Sequence, residues 1–153
     1  MNMKLFLSLV ITLAVGGIAG FATATAISTW YVHLNKPSFN PPNVVFAPVW
    51  AMLYIFMGIA LYLVWKLPAS TARNIAMRIF FVQLLLNFIW SIIFFNMHQL
   101  GWALIDIILL WLFIFLTMRT FVPLSKPAGW LLFPYFLWVS FASVLNFSIW
   151  QLN

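Results

Sequence analysis

Apolar residues run through this chain in long, nearly unbroken stretches, and polar residues appear mainly as punctuation between them. The first stretch extends from Leu5 to Ser28, the second from Val44 to Trp65 and the third from Arg78 to Met97. A fourth runs from Gly101 to Met118 and a fifth from Ala128 to Trp150. Each approaches the roughly 20 apolar residues that an α-helix needs to cross a bilayer. None alternates polar and apolar positions as a membrane β-strand would. The pattern predicts an all-α integral membrane protein, a single transmembrane domain of five helices.

The connections are unequal. Trp30 to Asn43 is the longest and contains Pro37, Pro41 and Pro42; proline fixes φ and removes a backbone donor, so a structured, non-helical loop is expected there. Lys66 to Arg73 reads as a short basic loop, His98 to Gln99 as a tight turn, and Thr120 to Pro127 as another short loop.

Composition sharpens this picture. Only 5% of the residues are charged, against about 25% in soluble domains, so most of the surface must face lipid. The formal net charge of +6 reads as topology and not as nucleic-acid binding, because the basic residues punctuate the apolar runs. Five spans place Lys4, Lys66, Arg73, Arg78, Arg119 and Lys126 on one side and only Lys36 on the other. The positive-inside rule then predicts a cytoplasmic N-terminus, an outward C-terminus and an outward proline-containing loop. Lys4, the apolar stretch and Ala22-Thr23-Ala24 also have the form of a signal peptide. The apolar run continues past that site to Ile27, which favours a retained span. Cysteine is absent, which excludes disulfides and thiolate metal sites.

Polar residues inside spans carry the candidate chemistry, since they face the bundle interior or a cavity. Gln83, Asn87 and Trp90 lie at i, i+4 and i+7 on one face of the third helix, flanked by Ser91 and Phe94. They read as a cavity face or as interhelical glue. Asp106, the only acidic residue, reads either as a functional intramembrane carboxyl or as an interfacial residue favoured by the helix dipole; Lys36 and His33 are its expected partners. The fifth helix carries Trp138, Ala142, Leu145, Asn146 and Ile149 on adjoining faces, with a small residue one turn from an indole. Gly16 and Gly20 form a GxxxG pair suited to close helix approach, within the chain or in a homodimer. His33 and His98 lack metal-site spacing. No Ser–His–acid set or phosphate-binding glycine loop occurs, so no conventional enzyme is expected.

Several segments form a recognisable series. Trp30-Tyr31-x-x-Leu34-x-Lys36-Pro37-x-Phe39-x-Pro41-Pro42 leads into Val45-Phe46-x-Pro48-Val49-Trp50-x-x-Leu53-Tyr54-x-x-Met57-Gly58. Then come Gln83-x-x-x-Asn87-x-x-Trp90, Gly101-Trp102-Ala103-x-x-Asp106, Pro134-Tyr135-x-x-Trp138 and Leu145-Asn146. Over nearly the whole chain this resembles the tryptophan-rich sensory protein family, also called translocator protein or peripheral benzodiazepine receptor, and specifically a bacterial member in a cell membrane. The resemblance implies five helices, commonly a homodimer, and a cavity opening toward the first loop, which acts as a lid. It implies protoporphyrin IX or other tetrapyrroles as ligand or substrate, with no resident cofactor, and binding of isoquinoline carboxamides of the benzodiazepine-receptor class. The family's pocket positions fall on Tyr31, Trp50, Tyr54, Asn87, Trp90, Trp102, Asp106, Trp138, Ala142 and Leu145. The animal cholesterol motif is not matched, because Phe147-Ser148-Ile149-Trp150-Gln151 has neither its tyrosine nor its basic residue.

The expectation is therefore a membrane porphyrin-binding protein that promotes light-dependent oxidative degradation, with Trp50 and Trp138 as the reactive pair. The alternatives are transmembrane transport of tetrapyrroles or lipids and a sensor of ligand occupancy. Proton-coupled export ranks low, because the chain has no Glu and Asp106 lies near one end of its span.

Overall fold

A computed structural model describes Met1–Asn153. Helix α1 spans Met3–Thr29, α2 Asn43–Trp65, α3 Thr71–Ser91, α4 Leu100–Phe121, α5 Lys126–Leu131 and α6 Phe133–Leu152. A single 3₁₀ turn, Tyr31–His33, begins the long loop, and a π turn, Ile92–Asn96, continues α3. Together they make five helical stretches long and apolar enough to cross a membrane, α5 and α6 acting as one. The outer surface is covered by apolar side chains such as Leu85, Ile105, Leu109 and Leu112. In water that surface would be a liability; in lipid it is the expected coat, and helices satisfy every backbone group internally.

Three boundaries differ from the sequence reading. The third helix starts at Thr71 instead of Arg78, because Ser70 caps it: its Oγ accepts from Arg73 N at 3.1 Å. The arginines do not end the helix, since long basic side chains carry their charge away from the axis. Arg73 Nη1 instead donates to Leu67 O at 2.7 Å, beyond the C-terminal end of α2, where a cation is favoured. The fourth helix runs on to Phe121, with Arg119 in its last turn. The fifth span breaks at Leu132, where Pro134 removes a donor from the first turn of α6. The π turn closes with Met97 N donating to Ile92 O at 2.9 Å. His98 then takes a left-handed backbone, φ 56°, and reverses the chain; its ring stacks on Trp30 with centroids 4.2 Å apart.

In the bundle, α1 packs on α2, α3 on α4, α4 on α6, and α2 on α5. The half nearest the basic residues is filled by Met57, Leu61, Phe80, Ile114, Phe121 and Leu132, all buried. A smaller core at the loop end holds Tyr31, Phe94, Ala103, Leu145 and Ile149. Between the two lies the functional space.

Gly16 decides how closely α1 approaches α2. A Cβ there would overlap the Tyr54 ring. Thr12 Oγ1 also donates to Tyr54 O at 2.8 Å. A Cβ at Gly20 would meet nothing within 4 Å. Half of the GxxxG pair therefore serves packing within the chain.

Candidate functional site

The site is an internal cavity of about 600 Å³, within the range of small-molecule sites. Its walls come from α1, α2, the end of α3 with its π turn, α6, and Tyr31 of the loop. Helix α4 contributes nothing to it.

The floor rests on a hydrogen-bonded row across three helices, of which only Tyr54 lines the cavity. Tyr54 OH on α2 donates to Asn87 Oδ1 on α3 at 2.7 Å, and Asn87 Nδ2 donates to Tyr135 OH on α6 at 2.6 Å. All three residues are buried, and each bond ties one helix to the next. Trp50 stands on this floor, its ring centroid 5.8 Å from Tyr54 and 6.3 Å from Tyr135. Trp138 meets Trp50 edge-on, with centroids 6.5 Å apart and planes at 90°. Phe46 and Phe141 complete that side at 6.1 and 5.6 Å from Trp138. Such edge-to-face pairs suit the quadrupoles of aromatic rings.

The back wall is tied by polar bonds. Trp90 Nε1 donates to Asn146 Oδ1 at 3.0 Å, and Asn146 Nδ2 donates to Leu100 O at 3.0 Å. One asparagine thus fixes an indole and caps the turn into α4. Trp138 Nε1, by contrast, is buried with no acceptor in the protein. An unpaired buried donor costs free energy. The indole face, not this buried N–H, is what Trp138 contributes to the cavity lining.

The roof is the long loop. Tyr31 OH donates to Asn40 Oδ1 at 2.8 Å. Lys36 Nζ donates to the carbonyls of Tyr31 and Leu34 at 2.7 and 3.0 Å and lies 4.8 Å from the Tyr31 ring centre. Burial pushes the Tyr31 phenol above the ordinary tyrosine value, with the Asn40 hydrogen bond opposing, so the hydroxyl stays protonated and donating. The loop is stapled to the end of α6: Asn35 N donates to Asn153 Oδ1 at 3.1 Å, and Asn153 Nδ2 donates to Asn35 O at 2.9 Å.

Of the residues singled out from the sequence, Tyr31, Trp50, Tyr54, Trp90, Trp138, Ala142 and Leu145 line the cavity together. Asn87 does not; it lies under the floor, its side chain engaged by two tyrosines. Trp102 and Asp106 sit on α4, away from the cavity. Trp102 is 65% exposed toward the lipid side. Asp106 is buried, and its Oδ2 has no hydrogen-bond partner. The expected pairing of Asp106 with Lys36 or His33 is not formed, because Lys36 is spent on the carbonyls of its own loop. The third-helix face splits in two: Trp90, Ser91 and Phe94 line the cavity, whereas Gln83 and Asn87 are interhelical glue. Phe46, Ala47 and Ala51 were missed. Helical spacing from Trp50 and Tyr54 places them on the same stripe of α2, and that periodicity could have found them.

These features define a class: a five-span membrane protein with an aromatic ligand cavity under a stapled loop. The sequence matches the TspO/MBR family over residues 8–151, and the chain belongs to that family. It is 47% identical to the tryptophan-rich protein TspO of Chlorobaculum tepidum over 99% of this chain and 96% of that protein. It is 42% identical to the protein of the same name in Archaeoglobus fulgidus, over 99% of this chain and 97% of that one. It is 40% identical to the translocator protein of Homo sapiens over 81% of this chain and 75% of that one. Family and architecture together make it an integral membrane protein.

Proposed function

We propose that the protein binds protoporphyrin IX or a related tetrapyrrole in this cavity and promotes its light-dependent oxidative breakdown. The observation that carries the reading is the perpendicular pair Trp50 and Trp138, 6.5 Å apart on opposite helices. A flat ring can stack on one indole and meet the edge of the other. Bound porphyrin that absorbs light can accept an electron from an adjacent indole and pass it to dioxygen, leaving superoxide and an indole radical cation. The porphyrin then returns an electron to that indole, so the net electron leaves the porphyrin, which is oxidised, and reduces dioxygen. Both indoles touch the ligand, so both are catalytic in this reading. The same aromatic walls suit the flat rings of an isoquinoline carboxamide.

Transport across the membrane has less support, because the inner half of the bundle is filled by Met57, Leu61, Phe80 and Phe121. The basic end, where Lys4 Nζ donates to Trp65 O at 3.3 Å, faces the cytoplasm of a bacterial cell in this reading, as the positive-inside rule requires. A homodimer and ligand-occupancy sensing remain compatible with it.

The test is illumination of the protein–protoporphyrin complex with and without dioxygen, followed by porphyrin absorbance. Trp50→Phe and Trp138→Phe should each slow the aerobic loss of porphyrin while leaving measurable binding. Breakdown at the unmutated rate in both variants refutes the assignment.

A further inference from the structure

The cavity wall is uneven in one respect. Its exposed residues all belong to α1 or α2: Gly17, Gly20 and Ala24 on one side, Ala47 and Ala51 on the other among them. The lining residues from α3, the π turn and α6 are buried or half-buried.

The packing explains this. The two helices are clamped where Gly16 meets the Tyr54 ring and Thr12 bonds Tyr54 O. Beyond that clamp α1 leans toward the π turn, where Asn96 Nδ2 donates to Ala22 O at 3.0 Å. Past the clamp, a slot between the two helices is bordered by exposed residues of both, Leu13, Gly17, Gly20 and Ala24 on α1 and Asn43, Ala47 and Ala51 on α2. Most of these are small, and a Cβ at Gly17 or Gly20 would meet nothing within 4 Å. The neighbouring Ile18 and Phe21 are exposed at 60% and 89%, so the medium outside the slot is hydrocarbon. At the loop end, the loop is tied to α6 by the Asn35–Asn153 staple.

We infer that the slot between α1 and α2 is the ligand's route, so the protein exchanges flat, hydrocarbon-rich molecules directly with the bilayer and not with water above the loop. This differs from the opening beneath the first loop that the family resemblance implies. It rests on the cavity being a ligand site, and it adds where the ligand comes from. A molecule already dissolved in lipid sheds no water on the way in. It passes a rim made mostly of glycine and alanine and meets the aromatic walls of Trp50 and Trp138 inside.

Exchange kinetics test this in lipid nanodiscs. Protoporphyrin is first partitioned into the lipid, association is followed by tryptophan quenching, and dissociation is followed after dilution into empty vesicles. Gly17→Phe/Gly20→Phe narrows the slot, and a Cβ at either position meets no protein atom within 4 Å. A group that obstructs passage raises the barrier in both directions, so association and dissociation should both slow by roughly tenfold, whatever the change in Kd. Ile18→Phe, at the same depth but off the slot, should change neither rate. Joining Asn35→Cys to Asn153→Cys with a bis-maleimide, in a chain without other cysteines, locks the loop and should also change neither. Unchanged rates in the double phenylalanine variant, or slowing by the loop cross-link, overturn the route. So does a disulfide between two copies through Gly20→Cys, because a seated copy would close the slot. Pyrene, a flat hydrocarbon without carboxylates, separates the two readings. If pyrene exchange obeys these rates and protoporphyrin does not bind, the route stands and the porphyrin assignment falls. If neither binds, both fall.

Discussion

Asn87 is the residue on which the cavity floor depends, and replacing it by leucine gives a sharp test. The side chains are similar in size, so the change removes polarity more than volume. In the folded protein it removes the acceptor of Tyr54 OH at 2.7 Å and the donor to Tyr135 OH at 2.6 Å. Interhelical hydrogen bonds in membranes are worth about 0.6 kcal/mol on average and up to about 1.7, less than burial alone suggests, because the unfolded chain in lipid also finds partners. Two such bonds, with two hydroxyls left in an apolar interior, put the loss at about 1–3 kcal/mol. The triple variant Tyr54→Phe/Asn87→Leu/Tyr135→Phe removes every polar group in the row. An apolar row in an apolar surrounding has nothing left unsatisfied, so it should recover to within about 1 kcal/mol of the unmutated protein. Unfolding by SDS in mixed micelles, read by tryptophan fluorescence, measures each variant. A triple variant at least as unstable as Asn87→Leu alone would refute the claim that unsatisfied hydroxyls, and not lost packing, set the cost.

Other outcomes follow from the same coordinates. Gly16→Ala should destabilise by about 1–3 kcal/mol through overlap with the Tyr54 ring, whereas Gly20→Ala should stabilise by about 0.5–1 kcal/mol, as glycine removal in an open helical position does; the same SDS titration reads both. Asn153→Ala should free the long loop, seen as faster amide exchange at Asn35 and faster proteolysis near Pro37 with the helices unaffected. Trp102→Leu should leave protoporphyrin affinity unchanged, because the side chain faces lipid, whereas Trp90→Leu should weaken it by removing a cavity wall and the bond to Asn146. Equal affinities in a fluorescence titration of the two variants would contradict the placement of Trp90.

Much of this protein follows from its chain alone. Five long apolar runs in a chain so poor in charge have few solutions other than a membrane helix bundle, because the backbone must satisfy itself in lipid. The one-sided distribution of basic residues predicts, by the positive-inside rule, which end faces the cytoplasm. Trp138 stood out beside a small residue one turn away on its helix, and Trp50 through the resemblance to the family. Tertiary structure decided the rest. Periodicity places Asn87 and Trp90 on one face, yet only packing sends the first under the floor and the second into the cavity. Trp102 is one more tryptophan in the sequence, and only the exclusion of α4 from the cavity turns it to lipid. Gly16 and Gly20 look identical as a motif. One is pressed on a tyrosine ring and the other has open space beside it, because contact depends on what the neighbouring helix presents at that height, and spacing along a single helix carries no record of its neighbour.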